Sequence, residues 1–448
     1  MLTPTCNYVY TVEPANVEYI LKTNFANYGK GSTLHGLAED LLGDGIFNVD
    51  GAKWRHQRKV ASHEFSTRVL RDYSSAVFRD TAAELAGIVA AAARGAGERL
   101  DISDLLMRST LDSIFKVGFG VSLGVLSGSS EEGAAFARAF DDASEQPKRF
   151  LNLSSEAAMK RSLRTINDFV YAVIYWKIEQ MARDHQEFVR SSAAPLLDSR
   201  SLRPFSETAK KEDILSRFLL ERERDPGCFD NKYLRDIILN FVIAGRDTTA
   251  GTLVWFLYVL CRNEAVQDRI VEEVRAAATG DRDVGAQELA ASLTEDAISK
   301  MQYLHAALTE TLRLYPAVPV DVKCCFSDDT LPDGYAVNEG DMVHYQPFPM
   351  GRMEFLWGAD AEEFRPERWL DGAGVFVPES SFKFTAFQAG PRVCLGKEFE
   401  YRQMKIFAAV LPYLFRFEMW DANATVGYRA MLTLKMESPL YVRASLRR

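Results

Sequence analysis

No stretch of this 448-residue sequence stays apolar long enough to cross a bilayer. The longest run, Gly251–Cys261, falls well short of the roughly 20 residues that a spanning helix needs. The opening residues also lack the basic-then-apolar pattern of a secretory leader. Cysteine is sparse: Cys6, Cys228, Cys261, Cys324, Cys325 and Cys394 form no C-x-x-C pair, which removes the usual zinc arrangements. Adjacent residues on a strand face opposite ways, so Cys324 and Cys325 do not ligate one metal together. So loose a set of thiols fits a reducing compartment. Glycine-rich phosphate loops are missing, which excludes dinucleotide and P-loop nucleotide sites. Nor is there an excess of positive charge. The 53 Lys and Arg against 62 Asp and Glu leave −9, which argues against a general affinity for nucleic acid. No internal repeat or low-complexity tract occurs.

What is present is hydrophobic: 47% of residues, enough for a large buried interior. Tyr8–Val12 has strand character, and Val17, Ile20 and Leu21 then recur at helical spacing after Pro14. Glycine turns in "GDGIFNVDG" precede an amphipathic helix in "AKWRHQRKVASHEF". Residues 66–120 are mostly helical, and 122–135 predict a loop. The polar stretches 184–213 and 278–296 predict connections, and 231–262 predict one long helix. From 316 to 394 prolines punctuate short strands and turns, and a helix follows Cys394. The fold class is therefore mostly α with a smaller β-rich part. That part lies mainly in 1–15 and 316–380, and the helices mainly in 54–315 and 395–416, with 1–448 forming a single domain.

Three stretches carry chemistry. In "FTAFQAGPRVCLG", Cys394 stands just before a helix, whose free amides and dipole favour a thiolate. Gly390 and Gly396 let the backbone approach something flat and large. Arg392 adds a cation and Phe387 an aromatic wall. The thiol is a nucleophile, a metal ligand or a buried structural cysteine; no histidine lies nearby in sequence to serve as a base. In "FVIAGRDTTAG", Asp247, Thr248 and Thr249 interrupt an apolar helix at which Ala244 and Gly245 remove bulk. Either a threonine bonds back to the preceding turn, or an acid and an alcohol relay protons beside a reaction centre. In "HAALTETLRLYP", Glu310 and Arg313 share a helix face. An exposed pair there adds little. A buried one among Leu308, Leu312 and Leu314 needs further partners, for which Arg368 in "FRPERW" is the candidate.

Together these segments resemble the cytochrome P-450 family of heme-thiolate monooxygenases. The family's F-x-x-G-x-R-x-C-x-G falls on Phe387, Gly390, Arg392, Cys394 and Gly396. Its A/G-G-x-D/E-T-T falls on Ala244 to Thr249. E-x-x-R falls on Glu310 and Arg313, with Arg368 in P-E-R, and W-x-x-x-R falls on Trp54 and Arg58. Four motifs in order span 54–396. Within the family, "NFANYGKG", "GDGIFNVDG", "TLDSIFKVGFG" and "ETLRLYPAVPVD" look like those of plant long-chain fatty acid omega-hydroxylases.

The resemblance implies the cytochrome P-450 fold and heme b, with Cys394 as axial ligand and the glycines lying under the porphyrin. Trp54, Arg58, Lys323 and Arg392 would serve the propionates. Thr248 would hydrogen-bond the reacting oxygen, and Asp247 would help supply protons. Some relatives carry an ester-forming glutamate where Ala244 stands, so the heme is expected to be non-covalent. NADPH electrons would come through NADPH-cytochrome P-450 reductase, docked on "AKWRHQRK" and on Arg392, Lys397, Arg402 and Lys405. The reaction implied is insertion of one atom of O2 into a C–H bond, as omega-hydroxylation of a long-chain fatty acid. A terminal methyl has the stronger C–H bond, so a narrow channel must select it by position. Leu41, Leu42, Ile46, Phe47, Val242, Ile243, Ala244, Val318 and Val320 are its candidates, each equally explained by core packing. The likeness further implies the cytoplasmic face of the endoplasmic reticulum membrane. The chain is expected to lack the family's anchor, first helix and first strand, and its Asp142–Leu151 segment is short for a channel roof. Asp247 and Thr248 disfavour a hydroperoxide-rearranging relative. An alkane or terpenoid hydroxylase, or a non-catalytic heme protein, stays open.

Overall fold

The computed structural model describes residues 7–66, 68–95, 98–144, 153–192, 213–224, 229–280, 282 and 284–447. In chain order, the helices around the site are α1 (Gly31–Leu42), α2 (Gly51–Ser66), α3 (Arg68–Arg94), α4 (Ile102–Phe119), α5 (Glu131–Ser144), α6 (Leu153–Ser192), α7 (Asn231–Arg262), α8 (Gln302–Leu314) and α9 (Lys397–Leu414). One sheet joins β1 (Tyr8–Thr11), β2 (Tyr28–Gly29), β3 (Asp321–Cys325) and β4 (Met342–Tyr345) in the order β1-β4-β3-β2. β1 runs parallel to β4, and the other pairs are antiparallel. On β3, Cys325 is buried and Cys324 only partly so, as alternation requires.

The long helix α7 has the bounds read from the sequence. Asp230 caps it by accepting the Tyr233 amide at 2.7 Å, and apolar residues around its whole circumference bury it. Its polar residues have structural work. Arg235 donates to the Leu41 and Asp40 carbonyls, and Asn240 donates to the Leu42 carbonyl at 2.8 Å. Asp236 accepts the Asp44 amide, and Asn240 accepts the Phe47 amide at 3.1 Å. These bonds hang the 43–50 loop on α7. The approach is close: a Cβ on Gly43, whose φ is 51°, would stand 2.1 Å from the Asp236 carboxylate.

Glu310 and Arg313 on α8 are fully buried. The guanidinium meets the carboxylate through two bonds of 2.8 and 2.7 Å. It also donates to the carbonyls of Gly351, Ala361 and Glu363. Glu310 further accepts the Trp369 indole N–H at 2.8 Å and the Arg365 amide at 2.9 Å. Arg368 closes the group at 3.5 Å and donates to the Trp357 and Asp360 carbonyls. The pair is thus the buried alternative of the sequence reading, with its further partners supplied.

Some expectations change. Strands also occupy Phe415–Met419, Tyr428–Ala430, Leu434–Met436 and Tyr441–Leu446, beyond the expected β-rich spans. Phe415 follows the last residue of α9 directly, so no turn residue announced a new element. The polar stretch 278–296 holds a short helix, Ala286–Ser292, and the start of another, Glu295–Lys300, capped by Thr294. The expected 122–135 loop ends early, at α5. Most of Asp142–Leu151 and of 184–213, and also Cys6 and Cys228, lie outside the described residues.

Two outcomes are expected. Arg313→Met leaves Glu310 as a buried, uncompensated carboxylate and lowers stability by about 3–5 kcal/mol, read from denaturant unfolding; a loss under about 1 kcal/mol would contradict the network. His305 is held neutral, its pKa lowered from 6.5 to about 3 by burial and then by Lys405 and Lys397. The unfolded chain takes up that proton first, so stability is expected to fall as pH drops from 6.5 toward 3. His305→Phe should flatten this slope in melts followed against pH.

Candidate active site

The cysteine loop is shaped before any ligand arrives. The Cys394 amide donates to the Phe387 carbonyl at 2.8 Å, folding the segment back on itself. Gly390 sits at φ 63°, and a Cβ there would stand 2.0 Å from the Leu21 carbonyl oxygen, so no other residue fits. Gln388 is the non-glycine residue of positive φ among those described, and its amide donates to Asp321 at 2.6 Å. Helix α9 then starts after Gly396.

Cys394 faces a cavity whose wall includes Phe387, Gly396, Ala244, Gly245 and Thr248. Burial, and next the charge of Glu400, push its thiol up to about 12; the Gly396 amide, Arg58 and Lys397 act the other way and lose. The helix start therefore favours a thiolate in sign only, and burial outweighs it. A thiolate here needs a cation that binds it. Among the described residues, no histidine lines the cavity to serve a nucleophilic cysteine as base.

Opposite the sulfur, the Thr248 hydroxyl donates to the Ala244 carbonyl at 2.5 Å, and Thr252 donates to the Thr248 carbonyl at 2.8 Å. Thr248 thus bonds back to the preceding turn and also lines the cavity. Asp247 is buried but not part of the lining. It lies 3.3 Å from Arg246, which holds Asp141 of α5 through bonds of 2.7 and 2.9 Å. One helical residue turns the side chain by about 100°, so the acid and the alcohol face different ways.

Four cations line the cavity among the described residues: Lys30, Arg58, Lys323 and Arg392. Arg58 donates to the Val393 carbonyl at 2.7 Å. Arg392 pairs with Asp50 and lies 4.5 Å over the Trp54 ring, while its buried Nε has no partner. Lys323 is held by Asp321 at 2.9 Å, and burial lowers its pKa to about 8. Burial alone would raise Asp321, but Lys30 and Lys323 hold it well below the carboxylate range. Lys30, Asn240, Gln388 and Glu400 were missed by motif reasoning. For Lys30 a signal existed in "NYGKG", a basic residue between glycine turns.

The proposed channel divides. Ile46, Phe47, Ala244 and Val318 line the cavity, joined by Phe65, Ile114 and Phe241. Leu41, Leu42, Val242 and Ile243 pack into the core between α4, α6 and α7. Val320 is 38% exposed and is not part of the lining; it lies in the irregular segment just before β3. The docking set divides as well. Lys405 is buried against the Ile298 carbonyl, Arg402 pairs with Glu295, and Arg392 turns inward, which leaves Lys53, Arg55, Lys59 and Lys397 exposed.

Among the described residues, no group of three or more His, Cys, Asp or Glu is placed to hold a metal. A metal at Cys394 must bring its other ligands with it. A flat group that carries a metal and carboxylates meets each condition, and heme is such a group: glycines beneath, the thiol as ligand, and guanidinium groups with a spare N–H for propionates. That defines the class, a heme-thiolate protein. Residues 3–434 match the family described as Cytochrome P450, and the chain belongs to it. It is 48% identical to cytochrome P450 704C1 of Pinus taeda, covering 97% of this chain and 83% of that protein. It is 45% identical to cytochrome P450 704B1 of Arabidopsis thaliana, over 99% and 87%, and 36% identical to cytochrome P450 94A1 of Vicia sativa, over 90% and 74%. The protein is a heme-dependent monooxygenase, supplied with electrons by a reductase.

Arg392→Ala removes charge-assisted bonds, each worth about 1.5–3 kcal/mol, and is expected to speed heme loss to apomyoglobin by about tenfold or more. An unchanged rate would remove Arg392 from the propionate site.

Proposed function

We propose that residues 1–448 form one cytochrome P450 domain that hydroxylates long-chain fatty acids at the terminal methyl, with Cys394 as the heme ligand. The observation that carries this reading is the cavity itself: Ile46, Phe47, Ile114, Phe241 and Val318 make an apolar wall above the cysteine loop, and its cations cluster at Trp54 and the β3 edge. Bound heme activates O2 for insertion of one oxygen atom into a C–H bond. The chain's own residues place the C–H bond and manage protons. The Thr248 hydroxyl bonds to the Ala244 carbonyl and also interacts with Glu400, and its oxygen would accept a proton-bearing water in the cavity. Asp247 acts from the far side of the same turn, through Arg246. Phe47 is 44% exposed, which puts it at the mouth. Ala244 supports a heme held without a covalent bond, by the likeness noted above.

Exposed Lys53, Arg55, Lys59 and Lys397 would receive the acidic face of NADPH-cytochrome P-450 reductase. The family likeness supports a place at the cytoplasmic face of the endoplasmic reticulum membrane. No helix of the described residues is long and apolar enough to cross a membrane. A second reading, an alkane or terpenoid hydroxylase, is favoured by one observation. Among the described residues, the lining offers no cation beyond Lys30, Arg58, Lys323 and Arg392 for a substrate carboxylate.

The test is purified holoenzyme with plant reductase, NADPH and a panel of fatty acids, alkanes and terpenoids, with products identified by mass spectrometry. Omega-hydroxy acids are expected; a heme-loaded sample that oxidises only the other classes would overturn the substrate assignment. Thr248→Ala should keep NADPH consumption while product per NADPH falls several-fold. Equal coupling in the variant would remove Thr248 from proton delivery.

A further inference from the structure

One carboxyl inside this cavity has no part in the reading above. Glu400, in the first turns of α9, is buried and lines the same cavity as Cys394 and Thr248. No ion pair engages it among the described residues. The nearby cations are committed elsewhere: Arg58 to the Val393 carbonyl, Arg392 to Asp50, Lys405 to the Ile298 carbonyl, and Lys397 over the Phe387 ring. Tyr401, the next residue, turns to Thr309 at 3.0 Å. Glu400 interacts with the Thr248 hydroxyl, which lowers its pKa, but burial wins and raises it to about 7. A buried acid without a counter-ion is costly, and here it shares a closed site with the residue assigned to the iron.

We propose that Glu400 is a positioning residue for electron entry: its carboxylate, buried in the cavity that Cys394 faces, makes the bound heme harder to reduce. This rests on the assignment of Cys394 as ligand. In the step concerned, one electron passes from the reductase to the ferric iron. No bond forms or breaks, the sulfur stays bound, and the site becomes more negative by one charge. A fixed negative charge in a poorly solvated cavity opposes that change.

The experiment is the midpoint potential of purified holoenzyme at pH 8, for the natural protein and for Glu400→Gln, Glu400→Ala and Glu400→Asp. The first two variants are expected to move the potential positive. A tenfold gain in the reduced form corresponds to about 59 mV for one electron. Glu400→Asp keeps the charge and should stay near the natural value. Glu400→Ala, the smaller replacement, serves if the amide does not fold. An unchanged potential in the neutral variants overturns the proposal. So does an equal shift in Glu400→Asp, which would mean that shape and not charge matters. The carbon monoxide difference spectrum of each sample separates the two ideas. A natural protein without the red-shifted thiolate absorbance defeats the assignment of Cys394, whereas an intact signature with a flat potential defeats Glu400 alone.

Discussion

The buried contact between Glu310 and Arg313 is the constraint on which the rest of this structure depends. Two opposite charges in a water-free place are tolerable only if every remaining donor and acceptor is satisfied. Here the satisfaction comes from backbone carbonyls at Gly351, Ala361 and Glu363, from the Arg365 amide and from the Trp369 indole. A stretch of turns and short helices is thereby fixed to α8. The cysteine loop follows directly after that stretch, so the position of Cys394 is inherited from a pair of charges on another helix. Gly351 belongs to the same arrangement: a Cβ there would meet the Arg313 carbonyl oxygen at 2.0 Å.

A second pattern concerns charge around the cavity. Three of the four lining cations are held by a carboxylate just outside the lining, Arg392 by Asp50, and Lys323 and Lys30 by Asp321, while Arg58 bonds the Val393 carbonyl. These acids fix direction without filling the site. Glu400 is the exception, an acid inside the lining with no ion-pair partner among the described residues. The acids outside the lining aim a neighbouring cation; the one inside it faces the cavity directly.

Much of this was legible in the sequence, because its signals are local and periodic. The apolar run through 231–262 has the length of α7, and the cysteine segment carries its turn glycines and its following helix in plain order. The pairing of Glu310 with Arg313 could be read from spacing and its burial from the leucines around it. The direction of single side chains could not. Asp247 and Thr248 are neighbours in the chain, yet only the threonine faces the cavity, since adjacent helical positions diverge. Val320 is apolar and close to Val318, but it sits in an irregular segment before β3, where no periodicity foretells which side chain turns outward. Burial of the sulfur reversed the expected balance at Cys394, because desolvation depends on the assembled surroundings and not on the helix start beside it. Glu400 carried no motif, and only three-dimensional proximity revealed it.

The bonds from Arg246 to Asp141 have a consequence for movement. They fasten α5 to the very turn of α7 that bears Thr248. Any sliding of α5 must therefore stretch a two-pronged guanidinium–carboxylate link or drag that turn along. Movement of α5 and of the cavity-lining Thr248 is thereby joined through the long helix.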